Sequence, residues 1–169
     1  MDGWRFCPHC TSPVTSHQGR IQCEACGFVH YANSVPAVSA LVVDGEGRVL
    51  LARRAQEPDA GLWDTPGGFL EEAEDPAAGL RRELLEETGL TVEIGDFVGM
   101  FTDRYGDGPG AAAVLNLVWE ATIASGEPRA ADDVSELRWF ARDALPAELA
   151  FRWLGPALRA WASGTPPPT

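Results

Sequence analysis

The 169-residue sequence predicts an α+β fold or a layered α/β/α arrangement, mixed strands with two helices behind a small metal-stapled segment. Three observations carry this. All four cysteines fall within the first 26 residues as two CxxC turns. From Pro36 onward the apolar runs are short, β-rich and separated by Gly- and Asp-bearing turns. Only two later stretches carry helical signals, one closing at Gly89 and one around Pro156.

The elements follow in order. "VPAVSALVV" and "RVLLAR" read as strands joined by "DGEG", a hairpin signal. "RAQEPDAGLWDTPGG" is a loop leading into a short extended piece. Asp75-Pro76 opens a helix, because Asp caps an N-terminus and Pro suits the first helical position; Gly89 closes it. "TVEIGDFVGMFTD" and "AAAVLNLVWEATI" are two further strands across the Gly-rich loop "RYGDGPG". "SELRWFA" alternates as a short strand, and "ELAFRWLGPALRAWA" reads as a terminal helix kinked or started at Pro156. The expected division is a zinc ribbon over residues 1–33, a larger domain of strands and helices over 34–163 and a disordered Pro-rich tail over 164–169.

The chain is 45% hydrophobic, enough for a real core, and carries a formal net charge of -12. That balance argues against non-specific nucleic-acid binding, which needs clustered cations. It leaves phosphate substrates open, because a bound metal inverts the local sign. All 13 cations are arginine, which offers phosphate a bidentate fork. No apolar run reaches the ~18 residues of a membrane span, and the start shows no secretory pattern. A soluble cytoplasmic protein is the expectation.

Cys7-x2-Cys10 and Cys23-x2-Cys26 have the spacing of two metal knuckles. Four thiolates at about 2.3 Å complete a tetrahedral zinc site and leave no open position, so the zinc would be structural. A segment this short has little core and gains from a metal staple. The competing readings are two disulfides or a redox CxxC pair.

The stretch "RRELLEETGL" sets a physical puzzle. Glu83, Glu86 and Glu87 share about a third of the helix circumference, at the end where the helix dipole disfavours acids. Clustered acids also raise one another's pKa unless a cation is present. A solvated acidic face is the bland alternative. A preceding Gly-Gly turn and "GGFLEEAED" favour instead hard oxygen ligands for Mg²⁺ or Mn²⁺, whose charge would offset dipole and repulsion. Gly79, on the same face, would admit a loop, a metal or a phosphate, or serve close helix packing.

"GFLEEAEDPAAGLRRELLEETGL" resembles the Nudix box, G-x5-E-x7-R-E-U-x-E-E-x-G-U with U aliphatic, at every defined position from Gly68 to Leu90. The resemblance implies a Nudix α/β/α sandwich with a mixed sheet and metal-dependent hydrolysis of a nucleoside diphosphate linked to a second group. Carried onto matching positions, it implies Glu83, Glu86 and Glu87 as ligands of Mg²⁺ or Mn²⁺, with the Gly67 carbonyl as a further ligand. Arg82 would orient Glu83, and Glu74 would support the loop. The general base is Glu83 or a later acid: Glu120, Asp132, Asp133 or Glu136. A zinc ribbon ahead of the box resembles the NADH pyrophosphatase architecture, but that group's SQPWPFPxS motif is absent, and "IGDFVGMFTDRYGD" stands in its place. The C-terminal "SELRWFARDALPAELAF" is similar to small zinc-ribbon members acting on FAD, ADP-ribose or related compounds.

The expected reaction is therefore hydrolysis of a pyrophosphate bond, in FAD or ADP-ribose before NADH. Alternatives are an NAD- or NADH-directed or cap-removing enzyme and, in another class, a non-catalytic nucleotide-binding or zinc-ribbon nucleic-acid module. Arg53 and Arg54 are candidate diphosphate donors, or a solvated strand end. Trp63, Phe69, Phe101 and Tyr105 are candidates to stack on a ring, or core aromatics, and Arg104 is a further cation for the mouth. The expected partner is a nucleotide-type small molecule, with no membrane and no nucleic acid beyond a capped RNA end. A homodimer is an open option.

Overall fold

The computed structural model describes residues 4–17 and 19–165. The chain divides into two compact units, Met1–Ser34 and Val35–Thr169.

The first unit is a three-stranded antiparallel sheet of β1 (Thr15–His17), β2 (Arg20–Gln22) and β3 (Val29–Tyr31), in that order. Its apolar content is slight, with Ile21, Cys7 and Cys23 buried. Two similar turns present the thiols. Thr11 N–H donates to Cys7 O and Gly27 N–H to Cys23 O, each at 2.9 Å, and Thr11 and Gly27 both take positive φ, 61° and 77°. All four Sγ atoms lie within 4.8 Å of one another. Cys7 and Cys26 are 3.6 Å apart and Cys10 and Cys23 3.5 Å apart. A disulfide needs ~2.05 Å. The edge of a tetrahedron with 2.3 Å zinc–sulfur bonds is about 3.8 Å. The thiols therefore fit a zinc ribbon, and the cysteines are free.

The second unit is built on a seven-stranded mixed sheet. Its main path runs β10 (Val134–Phe140), β5 (Val49–Arg54), β4 (Val35–Val43), β9 (Ala112–Ser125), β8 (Thr91–Tyr105). The short β6 (Trp63–Asp64) pairs β5 and β7 (Gly67–Phe69) pairs β4. β4 and β9 are parallel; the other pairings are antiparallel. β4 sits between β9 along one edge and two partners along the other. Residues 37–39 pair with β7, and Val42 and Val43 pair with β5.

The period of two in β4 explains the layers. Val38, Ala40 and Val42 face α1 (Pro76–Thr88) and pack with Leu80, Leu84 and Leu90. Leu41 faces the other side, where Leu51 and Val118 meet Leu154, Leu158 and Trp161 of α2 (Leu154–Ser163). A strand covered on both faces reads as an unbroken apolar run, as "VPAVSALVV" does. Each fully buried aliphatic side chain contributes roughly 1.5–3 kcal/mol. The architecture is the expected α/β/α sandwich.

The C-terminal end differs from expectation. "ELAFRW" is not helical: Trp63 N–H donates to Glu148 O and Ala150 N–H to Trp63 O, at 3.0 and 2.9 Å. The strand edge at Trp63 takes these backbone groups, and tertiary pairing overrides a helical pattern. α2 begins two residues before Pro156, whose missing N–H has no partner to lose in a first turn. Gly164 and Thr165, expected in the tail, close α2 instead: Gly164 takes φ 68°, and Thr165 N–H donates to Ala160 O at 3.0 Å. Residues 166–169 lie outside the described residues.

The geometry of the thiols generates a metal prediction. Purified protein is expected to carry one zinc per chain, and Cys23→Ser to lose it while the second unit still unfolds cooperatively. Metal analysis and thermal melting of parent and variant check this.

Candidate active site

α1 is fixed at both ends by local chemistry. Asp75 Oδ1 accepts from the N–H groups of Ala77 and Ala78 at 3.0 Å each, Pro76 fills the first turn, and Gly89 closes the helix at φ 69°. The exposed C-terminal carbonyls, where the acids sit, are also met. Ala131 N–H donates to Glu87 O at 3.0 Å and Arg129 N–H to Thr88 O at 2.9 Å. These donors satisfy carbonyls that a free helix end leaves unpaired. They also tie the loop before β10 to the carboxylate turn.

Arg82 organises the acids. Its Nε and Nη2 donate to the two oxygens of Glu74, each at 2.8 Å. Nη1 donates to Glu83 at 2.8 Å and to Glu86 at 3.2 Å, and Nη2 reaches Phe69 O at 3.3 Å. The bidentate contact holds the Glu74 carboxyl at about 2, well below its usual range. The loop carrying Glu74 lies directly over Gly79, where a Cβ would stand 2.4 Å from Leu70 Cδ2 and 2.8 Å from Glu74 Oε2. The small residue in the helix thus admits the loop, not a ligand.

Glu87 is 7% exposed and accepts from Gly67 N–H at 2.8 Å. Burial pushes its carboxyl up to about 9 against that hydrogen bond, and the charges of Asp133, Asp64 and Glu83 push the same way. Glu83 is raised too, by burial first, with Arg82 opposing. β7 passes close beneath. A Cβ on Gly67 (φ 144°) would lie 2.1 Å from Val38 O, and one on Gly68 2.5 Å from the Glu83 carboxyl. Only glycine permits this approach.

These groups open on a cavity of ≈ 270 Å³. Its lining brings together the acids Glu83, Glu87, Asp132 and Asp133, the aromatics Phe69, Tyr105, Phe151 and Trp153, and the cations Arg54 and Arg104. Asp132 takes φ 52°, a strained conformation for a residue with a Cβ. Of the expected later acids, Asp132 and Asp133 reach the cavity. Glu120 lies by a second hollow beside Asp96 and Arg142, and Glu136 pairs with Arg53 and Arg138.

The two expected arginines part company. Arg54 lines the cavity with its side chain 12% exposed. It donates to Pro58 O at 2.8 Å and to Tyr105 Oη at 3.2 Å, and lies 3.5 Å from Asp64. Burial pushes Asp64 up to about 7, with Arg54 opposing. Arg53 is not among the cavity's lining residues: it donates to Gly61 O at 2.7 Å and sits 3.6 Å from Glu136. Strand alternation turns adjacent residues to opposite faces, so the expectation for Arg53 is corrected.

The aromatics divide as well. Trp63 is 5% exposed in the core, edge-on to Phe140, and Phe101 stacks on Trp153 at 5.1 Å. Phe69 keeps 38% exposure. Tyr105 is hemmed in, edge-on to Phe69 at 5.2 Å, beside Phe151 at 6.1 Å and under Arg54 at 5.5 Å. Asp64, Phe151, Trp153, Ser39 and Asn116 also line the cavity and were not expected there. Asp64 follows the buried Trp63, and an acid buried there must find a partner, here Arg54.

Among the described residues, only the cysteines bring three or more ligand atoms within 4.8 Å of one another. Each glutamate is already hydrogen-bonded, Glu87 to Gly67 N–H and both Glu83 and Glu86 to Arg82 Nη1. Their donor set of hard oxygens, with two carboxyls pushed up by burial and by like charge, fits a divalent cation such as Mg²⁺ or Mn²⁺. Glu83, Glu86, Glu87 and the Gly67 carbonyl would hold it. Such an ion, when bound, polarises phosphoryl oxygens and acidifies bound water.

The NUDIX domain family matches residues 33–161 of the chain. The chain belongs to the Nudix family. It is a pyrophosphohydrolase acting on acid anhydrides, in a family of enzymes that use divalent metals. An ADP-ribose pyrophosphatase from Methanocaldococcus jannaschii is 34% identical over 116 residues, covering 66% of this chain and 67% of its own length. A NAD-capped RNA hydrolase NudC from Stutzerimonas stutzeri is 31% identical over 147 residues, covering 85% of this chain. The Nudix chain here spans about half the length of that relative, 50%. The solved structure of a NUDIX hydrolase from Nitrosomonas europaea matches with a TM-score of 0.76 at 27% identity, covering 97% of this chain and 96% of that one. No helix among the described residues is long and apolar enough to cross a membrane.

Two predictions follow from the carboxylates. Glu83→Gln and Glu87→Gln are each expected to lower kcat at least about a hundredfold, on the scale of a lost base or metal ligand. Steady-state assays at saturating divalent ion check this, and near-parental turnover in either variant contradicts the assigned role.

The second concerns pH. Glu87, raised to about 9, and Asp64, raised to about 7, keep protons in the folded state that the unfolded chain releases near its ordinary carboxyl range, roughly pH 4. The folded state then binds more protons, so stability falls as pH rises from about 4 to 9. Without added divalent ions, Tm is expected to drop across that window, and Glu87→Gln to remove most of the slope above pH 7. An unchanged slope in the variant contradicts the burial of Glu87 as its cause.

Proposed function

We propose that this Nudix enzyme hydrolyses the diphosphate joining two bulky groups, with FAD or ADP-ribose preferred to NADH and to nucleoside triphosphates. One observation supports the reading: a single cavity is lined both by carboxylates, suited to a divalent ion and a diphosphate, and by aromatic side chains suited to a ring. In this reading Glu83, Glu86 and Glu87 hold Mg²⁺ or Mn²⁺. Glu83, or Asp132 or Asp133 from the loop before β10, takes the proton of the attacking water.

Arg54 is the diphosphate donor, already aligned by Asp64, Pro58 and Tyr105. Preorganised donors lose less entropy on binding. Arg54 and Arg104 are the only cations among the lining residues, which supports a diphosphate over a more highly charged triphosphate tail. Phe69, with its exposed face, is the better stacking platform; Tyr105 serves to hold Arg54.

A second reading, hydrolysis of NAD or NAD-capped RNA, draws on the breadth of the match to the NudC relative, 85% of this chain against 66% for the ADP-ribose pyrophosphatase. Against it stand the absent SQPWPFPxS motif and the net charge of -12.

A substrate panel tests the choice: kcat/KM for FAD, ADP-ribose, NADH, NAD-capped RNA and nucleoside triphosphates, at one fixed concentration of Mg²⁺ and then of Mn²⁺. FAD or ADP-ribose is expected to lead. A tenfold advantage for a triphosphate, NADH or the capped RNA overturns the assignment and leaves family membership intact.

A further inference from the structure

Among the described residues, two buried side-chain polar atoms lack a hydrogen-bond partner, Ser39 Oγ and Trp153 Nε1. Both residues line the same cavity, and each is 6% exposed. An unpaired buried donor is costly, so such groups are normally matched by a partner. The two have different neighbours. Ser39 is the register partner of Gly67, whose N–H binds Glu87. Trp153 stacks on Phe101 at 5.1 Å and 21°.

Packing accounts for an aromatic residue at position 153 but not for its N–H. A phenyl ring would stack on Phe101 and join the same core, whereas a buried indole N–H ordinarily finds an acceptor. The backbone around it is held from two sides. Arg152 N–H donates to Asp103 Oδ2 at 2.9 Å, and Ala150 N–H donates to Trp63 O at 2.9 Å. The indole is thus a fixed donor beside a cavity that charged groups also line.

We propose that Trp153 is a specificity-determining residue: its indole N–H donates to a neutral acceptor, a ring nitrogen or carbonyl oxygen, on the heteroaromatic ring of the substrate. The surroundings favour a neutral acceptor: Phe101 stacks on the indole, and the Asp103 carboxylate, which accepts from Arg152 N–H and lines the same cavity, disfavours an anionic one. The assignment rests on the reading of the cavity as a site for ring-bearing diphosphates.

Two experiments test it. The first leaves the protein unaltered. AMP, FMN and analogues of each with single ring nitrogens replaced by CH, or single ring carbonyls removed, are titrated into the metal-loaded enzyme by calorimetry. One analogue is expected to bind about tenfold more weakly, the scale of one well-made hydrogen bond.

In the second, Trp153→Phe should lose about tenfold toward the intact nucleotide and nothing further toward that same analogue. In turnover its loss should fall on KM, with kcat within about twofold. Equal binding of every analogue by the parent enzyme overturns the proposal, even if the variant fails to fold. So does a variant that weakens all analogues alike, since that marks a purely structural role. Calorimetry needs no turnover, so failure here is distinct from failure of the substrate ranking, which the panel reads separately.

Discussion

One guanidinium holds this site together. Arg82 spends its N–H groups on Glu74, Glu83, Glu86 and the carbonyl of Phe69, linking a loop, a helix and the end of a short strand. The planar fork is what makes this possible: two parallel bonds go to one carboxylate while the far nitrogens reach others. An ammonium is a point charge and cannot fix three elements in one plane. The remaining geometry rests on this contact. The loop it anchors lies over Gly79, and the strand it touches carries Gly67 and Gly68 to within reach of Glu87 and Glu83.

Acids at the negative end of a helix are a local conflict, and the structure relieves part of it without any ion. Backbone N–H groups of Arg129 and Ala131 meet the last carbonyls of α1, reducing the exposed partial charge there. The same two contacts position Asp132 and Asp133. The acids on the helix and those on the loop are thereby indexed to one another through backbone bonds and not through flexible side chains. Gly126 permits this docking, since a Cβ there would stand 2.6 Å from Gly89 O. Burial first, and then the repulsion that remains, raises the carboxyls of Glu83 and Glu87.

What was legible in the sequence was whatever local chemistry decides. The limits of α1 follow from Asp75, Pro76 and Gly89, each acting within one turn. The cysteine turns declare themselves by spacing, and the β-rich runs by alternation and by burial on both faces. What stayed hidden depends on partners distant in sequence. That Arg54 rather than Arg53 enters the cavity is decided by the face of β5 covered by its neighbours. The segment 148–150 looks helical until the free edge at Trp63 is known. Trp63 and Phe101 had the right chemistry for stacking and were taken by the core, while Phe151 and Trp153 gained their places from the bend before α2.

The forked pairing of β4 has a consequence for how this scaffold can change. Residues 37–39 pair with β7 while Val42 and Val43 pair with β5, and residues 37–39 and their β7 partners line the cavity. Several side chains that line it lie outside the strand ladders: Glu83 and Glu87 on α1, Phe151 in the bend before α2. Exchanging Phe151 alters what the cavity accepts while leaving those ladders intact. Selectivity and foldability are therefore carried by different atoms, and a new ring or sugar could be accommodated without redrawing the sheet.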